Sequence, residues 1–380
     1  MTANPKASVH SRQVGKFIKL KGTKPSLHNA QLLVSTGVPS LDHLVGGGIP
    51  VGSIFLIEED SCGKYSKLLL KYFLAEGIVC ENDLFIASSD NSPSQLVKEL
   101  PNLIQTSNSS RNVTSNKEAT EKMKIAWRYQ NRDAVKTSME NSTFGHYYDL
   151  SQNLDQQLIH KIDIVKFDGI DDFEDQKSKN SESIFDVLYN KIKNRIEHGN
   201  FNLDMKNINL DEEKTILRIG INSLGSSLWS YKNTKDIYQS VPLFLLRLKA
   251  LLRASLAVSV VTVPTQLLRG FEAHGCLHRL ERIADNVLHL ESFLGSDKEK
   301  NPLYKDFHGL LYVKKFARIN SLTCHVPSTF DLAFKLKTKS FVIETLHLPP
   351  DLSETVSRSQ QNIPTSGSSC SSTVNQGLDF

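Results

Sequence analysis

The stretch from Ser35 to Ile57 constrains this chain more than any other. It runs Ser35-Thr36-Gly37, Leu41-Asp42, Gly46-Gly47-Gly48 and Gly52-Ser53, then the apolar run Ile54–Ile57. Consecutive glycines mark backbone turns that side chains would hinder, and the apolar run reads as a buried strand. The segment that follows is Glu58-Glu59-Asp60-Ser61-Cys62-Gly63-Lys64-Tyr65. Its place invites comparison with the phosphate loop G-x-x-x-x-G-K-[ST], in which backbone N–H groups and a helix N-terminus hold phosphate. Gly63 and Lys64 stand where that pattern requires them, but Glu58 replaces the first glycine and Tyr65 the Mg²⁺-binding hydroxyl residue. Three carboxylates stand where N–H groups should meet phosphate. The reading is a nucleotide-binding scaffold with a degenerate phosphate loop.

Strands and helices alternate beyond this point. Lys64–Glu76 is expected to be a helix with an apolar face of Leu68, Leu69, Tyr72 and Phe73, capped by Gly77. Leu84–Ser88 reads as a strand, Ser94–Leu100 as a helix, and Ser183–His198 as a helix stopped by Gly199. Thr215–Ile221 is a strand. Ser240 can cap a helix with Pro242 in its first turn, running to about Leu256, and Val258–Val263 is a buried strand. Ile283–Leu290, Gly309–Phe316 and Ala333–Leu346 read as later strands. The order predicts an α/β fold: a central, mostly parallel sheet flanked by helices, with antiparallel strands added late. Ligands on such sheets sit at the carboxyl ends of the strands, which is where Glu58–Tyr65 lies.

These blocks resemble the opening of RecA/KaiC-type domains and, within that group, the family of Elongator fourth subunits. Further matches are Met123–Gln130, Phe144–Asp149, Ile216–Ile221, Asn301–Asp306 and Leu346–Ser353. The resemblance spans residues 27–358, read as one RecA-like domain with polar insertions at about 102–121 and 163–183. It implies a heterohexameric ring with the fifth and sixth Elongator subunits. That ring docks on the catalytic subcomplex, binds tRNA and supports wobble uridine (U34) modification, whose chemistry another subunit carries. The expected role is an accessory subunit rather than an enzyme, with no required cofactor and ATP as a possible ligand. The rival readings are a stand-alone KaiC- or recombinase-type ATPase acting on nucleic acid, and a purely structural ring member. An intact phosphate loop and a strand-terminal acid would favour the first; both are missing.

Composition agrees with a soluble globular chain: 39% hydrophobic and 23% charged residues, net charge +4. Residues 1–26 carry Lys6, Arg12, Lys16, Lys19, Lys21 and Lys24 with no acid and are expected to be a disordered basic tail. Residues 359–380, with Ser366-Gly367-Ser368-Ser369, are expected to be a disordered Ser-rich tail. No apolar run reaches the roughly 18 residues of a membrane span. The five cysteines form no C-x-x-C pair and no zinc-spaced Cys/His cluster, so no metal site is expected, and the chain reads as cytoplasmic and nuclear.

The candidate nucleotide residues are Gly63, Lys64, Ser66 and Asp90. Lys64 opens a helix and would act on an anion together with the helix N-terminus; it equally well neutralises Glu58, Glu59 and Asp60. Ser66 lies one residue past the required hydroxyl, about 100° around the helix. Asp90, before Asn91-Ser92-Pro93, either orients water or begins a turn. The strand over residues 215–221 ends in Asn222, where a metal-holding acid would be needed. The resemblance places two further loops, Asn222–Gln239 and Thr265–Arg282, at a ring's pore. Trp229, Arg269, Arg279 and Arg282 in them suit single-stranded RNA by base stacking and phosphate contact, against a bland reading as ordinary polar loops. Arg128 and Arg218 are either arginine fingers or structural ion pairs. His146 beside Tyr147 and Tyr148 reads as a packed loop.

Overall fold

A computed structural model describes residues 20–26, 31–104, 144–169, 171–172, 183–203, 215–229, 234–268, 275–322, 325–327 and 329–346. The expectations for residues 1–19 of the basic tail, for the Ser-rich tail, for Met123–Gln130 and for Arg269 lie outside these residues; residues 20–26, expected to be disordered, are instead ordered, with Leu20 buried and Thr23–Pro25 forming a strand that pairs with Leu32–Val34. The strands in chain order are β1 (Thr23–Pro25), β2 (Leu32–Val34), β3 (Ile49–Pro50), β4 (Ile54–Glu58), β5 (Asp83–Ser88), β6 (Pro101–Leu103), β7 (Tyr148–Asn153), β8 (Ile164–Asp168), β9 (Leu217–Asn222), β10 (Ala257–Val263), β11 (Asn286–Ser292), β12 (Gly309–Lys315), β13 (Leu332–Leu336) and β14 (Phe341–Thr345). The principal helices are α1 (Pro39–Leu44), α2 (Lys64–Val79), α3 (Pro93–Lys98), α4 (Ile184–His198), α5 (Thr234–Arg253) and α6 (Cys276–Ile283).

One nine-stranded sheet carries the fold, in the order β14-β13-β12-β11-β4-β10-β9-β5-β8. Strands β11, β4, β10, β9, β5 and β8 are parallel, and β12, β13 and β14 join antiparallel. The class expected from the sequence is the class observed. Every residue of β4, β9 and β10 is buried, as a parallel strand covered on both faces requires. Their side chains alternate between two cores. Phe55, Ile57, Val258 and Val260 face α2, with Leu70, Phe73 and Leu74, whereas Ile54, Leu56, Val261 and Val263 face α4 and α5, with Leu188, Phe244 and Leu248.

Four local expectations change. The supposed polar insertion at 163–183 contains β8, which pairs in parallel with β5, so its acidic flanks hid an edge strand. Helix α2 does not stop at Gly77 but runs to Val79, with Cys80 as its C-cap. A Cβ at Gly77 would lie 2.7 Å from Leu84 Cδ2 and 2.9 Å from Arg218 Cδ, so the missing side chain serves close packing rather than a cap. Helix α5 begins at Thr234, leaving Pro242 inside it. The buried face of Ile237, Val241, Phe244, Leu245 and Leu248 offsets the hydrogen bond that proline removes. The strand expected over Ile283–Leu290 starts at Asn286, because α6 runs to Ile283, and Ala284 and Asp285 form the bend between them.

Candidate functional site

The carboxyl end of β4 lies at the centre of the sheet, and each of the three acids that follow it is held by the protein's own groups. Asp60 is 4% exposed. Its carboxylate accepts the backbone N–H groups of Lys64 (3.2 Å), Tyr65 (3.0 Å) and Ser66 (3.2 Å). These are first-turn donors of α2, which have no partner within the helix. They are also the groups a phosphate would take, and the carboxylate complements the positive end of the helix as an anion would. Gly63, at φ 62°, supplies the left-handed turn into α2 and donates its N–H to the Asp60 carbonyl at 2.9 Å.

Glu59 ties three strand ends together. Its Oε1 accepts from Ser223 Oγ, just after β9, at 2.8 Å and from Thr262 Oγ1 on β10 at 2.7 Å. Burial raises its pKa above the ordinary carboxylate value, against the lowering effect of these two hydroxyls. Glu58 is fully buried. Lys314 Nζ on β12 lies 2.7 and 2.8 Å from its two oxygens, and His289 Nδ1 on β11 lies 3.0 Å away. Burial would raise the Glu58 pKa, but His289 and the Lys314 ammonium hold it down at about 2. Lys314 also reaches Glu281 at 2.7 Å.

The expected nucleotide residues fall around this closed cradle. Lys64 is exposed and bonds the cradle through its N–H only; Ser66 is fully buried and its hydroxyl donates to the Gly63 carbonyl at 3.2 Å. Asp90, beyond β5, accepts from Ser226 Oγ. Asn222 Nδ2 donates to Ser88 Oγ at 3.3 Å. Tyr65, where Mg²⁺ would need a hydroxyl, is buried against Phe334 of β13, with ring centroids 4.7 Å apart. The late antiparallel strands thus pack on Tyr65 through Phe334 and Phe341.

The candidate RNA residues divide. Arg279 and Arg282 lie exposed on α6, three residues apart, so they share one helix face. Trp229 corrects the expectation. It is fully buried between Phe167 and Phe185, with both ring centroids at 6.2 Å, so no base can stack on it. Its bulk completes the core under β8 and α4, strands and helices far from it in sequence. Arg218 is likewise interior. Its Nε donates to Asn82 Oδ1 at 3.0 Å, one Nη to the carbonyls of Ser35 and Phe73 at 2.9 and 3.2 Å, and its guanidinium lies 4.9 Å from the Phe73 ring centroid. It is a structural arginine, not a finger aimed at a neighbour.

A second polar cluster, missed in the sequence, surrounds Glu76 in the last turns of α2. Its carboxylate accepts the N–H groups of Gly145 (3.0 Å) and His146 (3.2 Å) and the Tyr148 hydroxyl (2.6 Å), with His146 Nδ1 at 3.1 Å and Cys80 Sγ at 3.4 Å. Burial would raise its pKa; the His146 hydrogen bond and the Arg218 charge bring it down to about 2. Glu76, Cys80 and His146 stand within 4.8 Å of one another, a spacing that a metal would accept. The carboxylate is already saturated by donors and balanced by a buried guanidinium, so the cluster reads as an internal network that docks β7 on α2. The packed loop at His146–Tyr148 and the Glu76–Cys80 spacing of one helical turn were legible in the sequence, but not that the two meet.

A family model described as PAXNEB protein matches residues 16–380. Elongator complex protein 4 of Xenopus laevis is 46% identical over 363 residues, covering 91% of this chain and 87% of the relative. That of Danio rerio is 42% identical over 385 residues (98% and 96%), and that of Homo sapiens 41% over 377 residues (94% and 86%). Among solved structures, a KaiC-like protein of Pyrococcus horikoshii OT3 aligns with 83% of this chain and 99% of its own, at 14% identity and a TM-score of 0.45. Near-complete coverage by relatives above 40% identity carries the assignment: the chain belongs to the PAXNEB family, that of Elongator complex protein 4.

Proposed function

We propose that this chain is a non-catalytic accessory subunit of the Elongator complex, acting within a RecA-like heterohexameric ring with the fifth and sixth subunits. The ring docks on the catalytic subcomplex, binds tRNA and supports wobble uridine modification in cytoplasm and nucleus. The observation that carries the non-catalytic part is the Asp60 carboxylate on the N–H groups of Lys64, Tyr65 and Ser66. A nucleotide phosphate would have to displace a tethered anion, with Glu59 buried beside it and no strand-terminal acid at Asn222 to hold Mg²⁺. ATP is therefore a weak ligand of the isolated chain, and turnover, where the ring has any, belongs to sites that neighbours complete. The RNA part rests on Arg279 and Arg282, exposed together on α6. No described helix is long and apolar enough to cross a membrane.

Co-expression with the fifth and sixth subunits tests the reading. Native mass spectrometry should find two copies of each subunit. Replacing Arg279 and Arg282 with alanine should weaken tRNA binding by the intact ring and make the salt slope shallower by up to about 1.4, at roughly 0.7 per phosphate for single strands. A monomer indifferent to both partners would overturn the assembly, and unchanged tRNA affinity and slope would overturn the role of α6. Turnover by the isolated chain of about 1 s⁻¹ or more, abolished by Lys64→Ala, would restore the ATPase alternative.

A further inference from the structure

A cleft of 1170 Å³ is lined by Tyr72, in the middle of α2, together with residues of α1, β14 and the loop before β7. Its walls carry the rings of Tyr72, Phe144, Tyr147, Tyr148 and Phe341. Tyr72 and Tyr148 contribute rings whose hydroxyls are turned to the protein: the Tyr72 oxygen accepts the Phe341 N–H at 3.1 Å, and the Tyr148 hydroxyl donates to Glu76 at 2.6 Å. Tyr147 is 51% exposed, and Phe144 lines the same cleft.

The cleft's charge is one-sided. Its one acid among the described lining residues, Asp42, is 5% exposed and spends both oxygens internally. Oδ2 accepts from Ser35 Oγ at 2.5 Å, and Oδ1 from the Thr36 N–H and hydroxyl, both at 2.7 Å. The Lys24 ammonium lies 5.1 Å from the Phe144 ring centroid and forms no ion pair among the described residues, and His43 is exposed at the rim. Aromatic rings with a cation lying over one of them and engaged in no ion pair among the described residues favour a flat apolar body carrying a negative group.

We propose that this cleft is a binding site for a small aromatic anion, its ring against Tyr147 and its carboxylate, phosphate or sulfonate at Lys24 and His43. The inference concerns a surface separate from the degenerate nucleotide site and does not depend on ring assembly.

The test uses the full chain and 2-naphthoate, with neutral 2-naphthamide as its uncharged match, followed by ligand-detected NMR titration. Naphthoate should bind saturably with Kd below about 1 mM, in the range open to a ligand of this size. The amide should bind about tenfold more weakly, as should naphthoate to Lys24→Glu, a charge-assisted contact being lost in each case. Tyr147→Ala should weaken it several-fold. Lys98→Glu, an exposed lysine on α3 outside the cleft, changes net charge equally and should leave binding unchanged. Lys24, Lys98 and Tyr147 are all exposed, and unchanged melting temperatures confirm that each variant is folded. No saturable binding by the wild type, equal binding of acid and amide, or equal effects of Lys24→Glu and Lys98→Glu would each overturn the proposal.

Discussion

Replacing Asp60 with alanine should both destabilise the protein and create the anion site that the wild type lacks. The carboxylate satisfies three first-turn N–H groups of α2 at 3.0–3.2 Å. Removing a capping side chain costs about 1–2 kcal/mol, and the loss of a buried negative charge at a helix N-terminus up to about 2 more. The neighbouring acids work the other way, since Asp90 and Asp60 both push the Glu59 pKa upward and removing one relieves that repulsion. A net loss of about 2–3 kcal/mol follows. In a domain of about 330 residues that lowers the melting temperature by about 3–4 °C. The second arm separates this reading from ordinary core damage. The vacated N–H groups should accept inorganic phosphate, and phosphate at ten times its dissociation constant should return about 1.4 kcal/mol to Asp60→Ala. General salting effects act equally on both proteins, so the quantity to read by differential scanning fluorimetry is the difference between variant and wild type. A variant as stable as the wild type, or phosphate that raises both melting temperatures equally, would refute the idea that Asp60 closes the cradle.

Three further outcomes are expected. Burial raises the Asp42 pKa from 3.8 to about 6, so the folded chain holds this proton more tightly than the unfolded chain, and stability falls as pH rises through that window, by about 3 kcal/mol. Asp42→Asn should flatten the slope between those pH values in urea titrations. It should leave the loss below about pH 4.5, which comes from Glu58 and Glu76 with pKa values near 2; an unchanged slope would contradict the burial argument. Trp229→Ala should cost about 3–5 kcal/mol by cavity formation, whereas Trp229→Phe, which keeps an apolar ring and removes an indole N–H without a partner among the described residues, should cost far less and leave RNA affinity of the assembled ring unchanged. Gly77→Ala gains about 1 kcal/mol of helix propensity but meets Leu84 and the buried Arg218, so a net loss of about 1–2 kcal/mol is expected in denaturant unfolding, and any stabilisation would show that this contact yields.

Much of the architecture was legible because its signals are local. The runs over Ile54–Ile57, Leu84–Ser88 and Val258–Val263 are apolar without alternation, which only a strand covered on both faces tolerates. The Ser183 cap and Gly199 stop bounded α4 closely, with Ser183 accepting the Phe185 N–H. Boundaries failed where a contact distant in sequence overrode the local signal. Gly77 looked like a cap because nothing nearby revealed Leu84 and Arg218 packed against it. Pro242 looked like a first-turn residue because the burial of Ile237 and Val241, which draws the helix forward, depends on the sheet beneath it.

By itself the sequence determined that Glu58, Tyr65 and Asn222 stand where a phosphate-loop site would need glycine, a hydroxyl residue and an acid. Covalent order settles that question, because missing functional groups cannot be supplied by folding. Where the substituted carboxylates go was decided only by tertiary structure. Glu58 is balanced by Lys314 and His289, each more than two hundred residues away, and Glu59 by Ser223 and Thr262. Asp60 alone finds its partners nearby, yet its role as a built-in anion depends on the sheet holding the strand end over the start of α2. The same difference separates Trp229 from Arg279. Both read as loop residues suited to RNA, but the sheet and α4 enclose the indole while α6 presents the guanidinium to solvent. Exposure belongs to the packed molecule, and no short window of residues contains it.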